Sequence, residues 1–163
     1  MRQHSTPAFQ PSDTMIVVEL TDPHDPQATA LLRASHALMQ SLFPPEDNAY
    51  LSINELCAKH VHFFAARSET VLCGTGALAV KNGYGEIKSM FVDPDFRGQG
   101  VADTILRSVE DLAQKIGLTS LKLETGNKLC AAQRLYERHG FLVSGPFGDY
   151  TANSSSIFMK KKL

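Results

Sequence analysis

A mixed α/β fold, with helices flanking a largely antiparallel sheet and one helical crossover, is predicted by three features of the 163-residue sequence. The hydrophobic residues switch between strand-like alternation and helical spacing along the chain. An Asn-Gly turn sits inside a strand-rich central block. Two helical stripes, each followed by a glycine, frame a single strand in the C-terminal half.

The elements follow in order. Residues 1–14 carry Ser5, Thr6, Pro7, Pro11, Ser12 and Asp13 and no apolar run behind Arg2, so they read as a disordered leader or cloning remnant rather than a secretory signal. One domain is expected over 15–163. Met15 to Leu20 forms a β-branched strand, closed by the turn residues Thr21 to Pro26. Ala28, Leu31, Leu38 and Leu42 recur at helical spacing, and Pro44-Pro45 ends that helix. A second short helix is expected at Ser52 to Lys59. His62 to Arg67 and Val71 to Val80 alternate as strands, and Asn82-Gly83 is expected to supply two positive φ angles that send Glu86 to Val92 back alongside. Val101, Ile105, Val109, Leu112 and Ile116 mark a helix that Gly117 stops. Leu118 to Glu124 is the next strand; Ala132, Leu135, Tyr136 and His139 mark another helix, stopped by Gly140. Phe141 to Val143 and Ser156 to Met159 close the sheet, and Lys160-Lys161-Lys162 reads as a solvated tail.

Composition excludes several classes. Sixteen Lys+Arg against seventeen Asp+Glu leave a formal charge of −1, which argues against nucleic acid or an anionic membrane as partner. No apolar run approaches the roughly 18 residues of a membrane span. Cys57, Cys73 and Cys130 form no CxxC spacing, so neither a disulfide framework nor a zinc finger is indicated, and a cytoplasmic location is expected. His60 and His62 share a strand face, but no carboxylate or cysteine completes a metal-ligand pattern.

The chemistry concentrates in Met90-Phe-Val-Asp-Pro-Asp-Phe-Arg-Gly-Gln-Gly-Val-Ala102. A strand ends at Val92, Pro94 breaks it, and two glycines precede an amphipathic helix. Amides left open at such a helix start, with Arg97 beside them, suit a phosphate or pyrophosphate, although plain turn chemistry would produce the same glycines. Gly-Lys-Ser/Thr is absent, as is GxGxxG with its acidic partner, so the two commonest nucleotide loops are excluded.

Arg97-Gly-Gln-Gly-Val-Ala102 and Ala132-x-x-Leu135-Tyr136-x-x-x-Gly140-Phe141 resemble the two sequence blocks of the GNAT superfamily of acetyl-CoA-dependent N-acetyltransferases. The strand Glu86-Ile-Lys-x-Met-Phe-Val92, the strand end Leu123-Glu-Thr-Gly126 and the run Pro146-Phe-Gly-Asp-Tyr150 are similar to a bacterial subgroup of N-acetyltransferases. The resemblance implies the GNAT fold and acetyl-CoA as cosubstrate, without a metal. It implies that Met90, Phe91 and Val92 bind the pantetheine arm, and that Arg97 with the backbone of Gly98, Gln99, Gly100, Val101, Ala102 and Asp103 holds the pyrophosphate. Ala102 stands where glycine is commoner, and the Asp103 carboxylate weakens binding unless it points away. Leu129 occupies the place of an asparagine that contacts the cosubstrate arm in many members, so either Asn127 replaces it or the contact is absent.

The implied reaction is direct attack of an amine on the thioester. Tyr136 is the candidate acid, since a phenol of pKa about 10 keeps its proton at neutral pH and shares it with a thiolate whose acid has pKa about 8.5; on an apolar helix stripe it would otherwise be core. Glu86, at the position of a catalytic glutamate in some members, is the candidate base and shares strand parity with Val92, unless it is a solvated strand end. Glu124 competes for that role or for contact with substrate. Asp149 and Tyr150 are candidate substrate contacts, with turn formation by Gly148-Asp149 as the plain alternative. The backbone near Phe91 or Val92 is expected to polarise the carbonyl. The expected acceptor is the amine of a small molecule such as an amino acid or related metabolite. Protein or peptide acetylation, or a CoA-binding regulatory module without efficient turnover, are the alternatives, and a homodimer is compatible with the sequence.

Overall fold

A computed structural model describes residues 15–163; the leader expected at 1–14 lies outside the described residues. Seven strands form one sheet in the order β1-β2-β3-β4-β5-β7-β6. They are β1 (Ile16–Leu20), β2 (Val61–Ser68), β3 (Val71–Val80), β4 (Gly85–Val92), β5 (Ser120–Gly126), β6 (Leu142–Ser144) and β7 (Ser156–Lys162), with helices α1 (Pro26–Leu42), α2 (Val101–Lys115) and α3 (Cys130–Arg138). Every neighbouring pair is antiparallel except β4 with β5, the pair joined by the α2 crossover. The expected mixed α/β layout is therefore the observed one.

The strand pattern explains the layers. Phe64, Ala66 and Leu78 pack with the α2 stripe of Val101, Ile105, Leu106, Val109 and Ala113, together with Leu135 and Tyr136 of α3. The alternate residues Phe63, Ala77 and Ala79 turn to the opposite face and meet Ala28 and Leu32 of α1. Because α2 buries its whole stripe, its first turn is fixed against the end of β4; truncating a buried residue such as Leu106 would cost about 2–5 kcal/mol. Asp25 caps α1 by accepting hydrogen bonds from the amides of Gln27 and Ala28.

Four local expectations are corrected. Ser52 to Lys59 is not a helix but a loop with one 3-10 turn at Glu55–Cys57, where Ser52 and Glu55 bond each other's backbone amides. At the Asn82-Gly83 turn only Gly83 takes a positive φ, 88°. The three C-terminal lysines are not a tail: they extend β7 through Lys162, and Lys161 Nζ bonds Glu110 Oε1 at 2.9 Å. Glu86 and Val92 do not share a face, because Ser89 interrupts β4 with a left-handed φ of 57° and a register shift against β3. Glu86 faces Tyr150, whereas beyond this bulge Met90 and Val92 pack against the α2 core.

Candidate active site

The bulge has a second effect. β4 and β5 pair only at Gly85 with Leu121, Glu86 with Lys122 and Ile87 with Leu123, and then separate. Lys88 to Val92 and Glu124 to Gly126 thus present facing strand edges that do not pair with each other. The buried Thr75 hydroxyl donates to the Ser89 carbonyl at 2.8 Å and holds the distortion in place.

A cavity of about 120 Å³ occupies the gap. Its walls come from Ile87 to Met90 of β4, Glu124 to Gly126 of β5, the last turns of α1 with the loop that follows, and Leu129, Ala132 and Tyr136 around α3. Tyr136 is 4% exposed and its hydroxyl has no hydrogen-bond partner among the described residues. Burial pushes this phenol well above its ordinary pKa, so it holds its proton throughout the neutral range. Glu124 is also raised, first by burial; the Lys88 charge and the 3.1 Å hydrogen bond from Ser156 Oγ oppose that rise, while Glu86 and Asp47 add to it. The cavity thus places an unpartnered proton donor and a carboxylate with raised basicity on its walls.

Glu86 is placed differently from the expectation. It is 4% exposed and does not line the cavity; Tyr150 Oη donates to its Oε2 at 2.6 Å, and Lys88 Nζ lies 3.4 Å away. Lys88, which sequence reasoning missed, does line the cavity, donating to Tyr150 Oη at 2.7 Å and to the Ala49 carbonyl at 2.8 Å. Burial, and then the bond to Glu86, raise the Tyr150 phenol and keep it protonated. Asp149 is exposed and away from the cavity. Asp47 and Ser155, joined by a 2.6 Å hydrogen bond, were also missed, as was Ser89, whose buried hydroxyl has no partner. These residues lie far apart in sequence and lack a local motif; only the bulge and strand order assemble them.

The α2 start leaves a run of backbone amides open. Gly98 and Gly100 adopt φ values of 76° and 78° with open space where a side chain would stand. Among the described residues the amides of Gly98, Gln99, Gly100, Val101, Ala102 and Asp103 bond no protein acceptor, and the exposed Arg97 guanidinium has no acidic partner. Asp103 points away from this loop: its carboxylate lies 2.8 Å from His139 Nε2 and 3.3 Å from an Arg138 nitrogen. Burial alone would raise it, but the bonds from His139 and Arg138 hold it below its usual value. Asn127 Nδ2 is engaged with the Ser154 carbonyl at 2.9 Å, while Leu129 lines the cavity. Among the described residues no group of three His, Cys, Asp or Glu side chains is placed to hold a metal, and no helix is long and apolar enough to cross a membrane.

Comparison with known proteins agrees with this geometry. The model of the acetyltransferase (GNAT) family matches residues 28–141. An IAA acetyltransferase of Azospirillum brasilense is 34% identical over 91% of this chain and 98% of its own length. The uncharacterised N-acetyltransferase YedL of Escherichia coli is likewise 34% identical, over 91% of this chain and 96% of its own. A crystal structure from Klebsiella pneumoniae, described as an acyl-CoA N-acyltransferase, superposes with a TM-score of 0.77 at 31% identity, covering 91% of this chain and 98% of that one. With the parted β4 and β5 edges and the open amides at the start of α2, these matches show that the chain belongs to the GNAT family and is an acetyl-CoA-dependent N-acetyltransferase.

Proposed function

We propose that residues 15–163 act as one catalytic domain that transfers an acetyl group from acetyl-CoA to the primary amine of a small molecule. The observation carrying this reading is that the parted edges of β4 and β5 enclose a cavity whose walls include both Glu124 and the unpartnered hydroxyl of Tyr136. In this reading the open amides from Gly98 to Asp103 and Arg97 hold the pyrophosphate, and the free edge at Met90, Phe91 and Val92 receives the amide-bearing arm of the cosubstrate.

The two walls divide the proton work. An alkylammonium of pKa about 10 enters protonated and must lose a proton before it attacks. Glu124, rather than the enclosed Glu86, receives that proton, because it reaches the cavity and its carboxyl is raised. The amine nitrogen then forms a bond to the acetyl carbon and the carbon–sulfur bond breaks; Tyr136 gives its proton to the departing thiolate, while the surplus proton on the new amide nitrogen passes to solvent, which restores the Tyr136 proton in turn. Glu86, Tyr150 and Lys88 serve as a bonded support for the cavity wall.

A screen of primary amines with acetyl-CoA, read by thiol release, tests the proposal. Small amines should accelerate release, and the acid limb of the rate profile should lie above the ordinary glutamate pKa, because Glu124 must be ionised to act. Tight CoA binding with no amine-dependent release would overturn the enzymatic reading of this site in favour of a binding module, and turnover confined to peptides would replace the small acceptor with a protein one.

A further inference from the structure

β5 ends in a glycine that its backbone does not require. Gly126 lies outside the left-handed region, is paired with Ser156, and is buried. A glycine inside a strand is destabilising relative to alanine. The need for it comes from another element: a Cβ on Gly126 would stand 2.1 Å from Phe43 Cζ and 2.7 Å from Cε2, well inside van der Waals contact. The Phe43 ring is seated directly on bare backbone.

Several contacts hold the ring there. Phe43 is the C-cap of α1, its amide bonds the Met39 carbonyl at 3.0 Å, and Pro44-Pro45 directs the following chain away. Lys128, just past Gly126, donates to the Leu42 carbonyl at 3.0 Å, and its ammonium lies 5.9 Å from the Phe43 ring centre. The end of α1 is thereby fastened to the end of β5 at two adjacent points. Phe43 is 8% exposed and, with Met39, faces the cavity beside Glu124.

The charges of the cavity limit what it can receive. Lys88 supplies its one lysine ammonium, and that group already meets Glu86, Tyr150 and the Ala49 carbonyl. The other charged wall residues, Asp47 and Glu124, are acidic. A carboxylate on the acceptor would face these acids without a free cation, whereas an ammonium is matched by them.

We propose that Phe43, seated on Gly126, is a specificity-determining residue that closes the acceptor cavity and restricts the acceptor to a short primary amine with an apolar body and no carboxylate. This inference rests on reading the cavity as the acceptor site. It narrows the amino-acid expectation of the sequence to amines that lack the acid group.

The test compares the wild-type protein with Phe43→Ala and Phe43→Leu on linear alkylamines of increasing length, and compares ethylamine with alanine. The wild type should lose kcat/KM beyond a limiting length. Phe43→Ala should move that limit outward and raise kcat/KM at least tenfold for amines just beyond it, with the KM for acetyl-CoA within twofold. Each methylene accommodated in such a pocket changes the rate ratio by about 10–200-fold. Phe43→Leu, which keeps most of the volume, should give a smaller shift, and Gly126→Ala should act in the same direction as Phe43→Ala by displacing the ring. An unchanged length ranking in folded Phe43→Ala, or a preference for alanine over ethylamine, would overturn the inference while leaving amine acetylation standing. Turnover of peptide lysines with no free amine accepted would overturn the small-amine reading and this inference with it.

Discussion

The start of α2 and the cavity between β4 and β5 are built in opposite ways. At the α2 start the groups left open are backbone amides from consecutive residues, exposed because Gly98 and Gly100 take positive φ and the helix has no earlier turn to bond them. In the cavity they are side chains from α1, its following loop, β4, β5, α3 and the segment before β7, assembled by strand order and one bulge. A site made of backbone depends on conformation at a few adjacent positions. A site made of side chains depends on packing across the molecule, so single substitutions should affect the two regions differently.

The largest effect is expected at the α2 start. Gly100 caps α2 at φ 78° with nothing within 4 Å of the point where a Cβ would stand, so Gly100→Glu meets no steric clash and costs about 1–2 kcal/mol in left-handed strain. Its carboxylate, however, stands where the cosubstrate phosphates are expected. The variant should fold and lose the thermal stabilisation that CoA confers on the wild type, with affinity lower by at least a hundredfold. Unchanged CoA affinity would remove the anion site from this loop and end the contrast between the two regions.

In the cavity the decisive substitution is smaller and should act on rate. Tyr136→Phe removes a hydroxyl that bonds no protein group among the described residues, so it strands no buried partner, and stability should change by less than about 1 kcal/mol. Loss of a positioned proton donor typically lowers rate by about 10²-fold or more. The expected signature is therefore a reduced kcat with unchanged acetyl-CoA binding. A normal kcat would leave Tyr136 as a packing residue against Phe141, whose ring centre is 5.7 Å away.

The same contrast explains what was legible. Arg97 to Ala102 and the block from Ala132 to Phe141 carry their family resemblance in local spacing, and they lie at the start of α2 and along α3, the two helices expected there. The helix-stopping glycines Gly117 and Gly140 were legible for the same reason, and both take positive φ. Ser89 carries no such signal, because a serine in a left-handed conformation is imposed by its surroundings, here including the Thr75 hydroxyl. Missing that bulge gave Glu86 the wrong face relative to Val92. It also concealed Lys88, an ordinary alternating polar residue until Tyr150 and Ala49 are brought against it. The Ser52 to Lys59 helix failed because so short a segment gains little from helical bonds, and Ser52 with Glu55 satisfies the local amides in a turn.

Asp103 links the two regions and should give the smallest effect. It belongs to the first turn of α2, yet its carboxylate ties that turn to Arg138 and His139 at the end of α3, the helix that carries Tyr136. The side chains of Asp103 and Arg138 are 26% and 58% exposed, so the pair is solvent-screened and Asp103→Asn should cost only about 1 kcal/mol. Because its folded pKa lies below the unfolded value, near 3.8, the carboxylate contributes its full stability above that value and loses it as pH falls through the folded pKa. Denaturant melts of wild type and Asp103→Asn should therefore differ at pH 7, begin to approach each other below pH ~3.8, and converge once the pH is below the folded pKa. A gap that persists at low pH would show that the tie between α2 and α3 rests on packing rather than on the Asp103 charge.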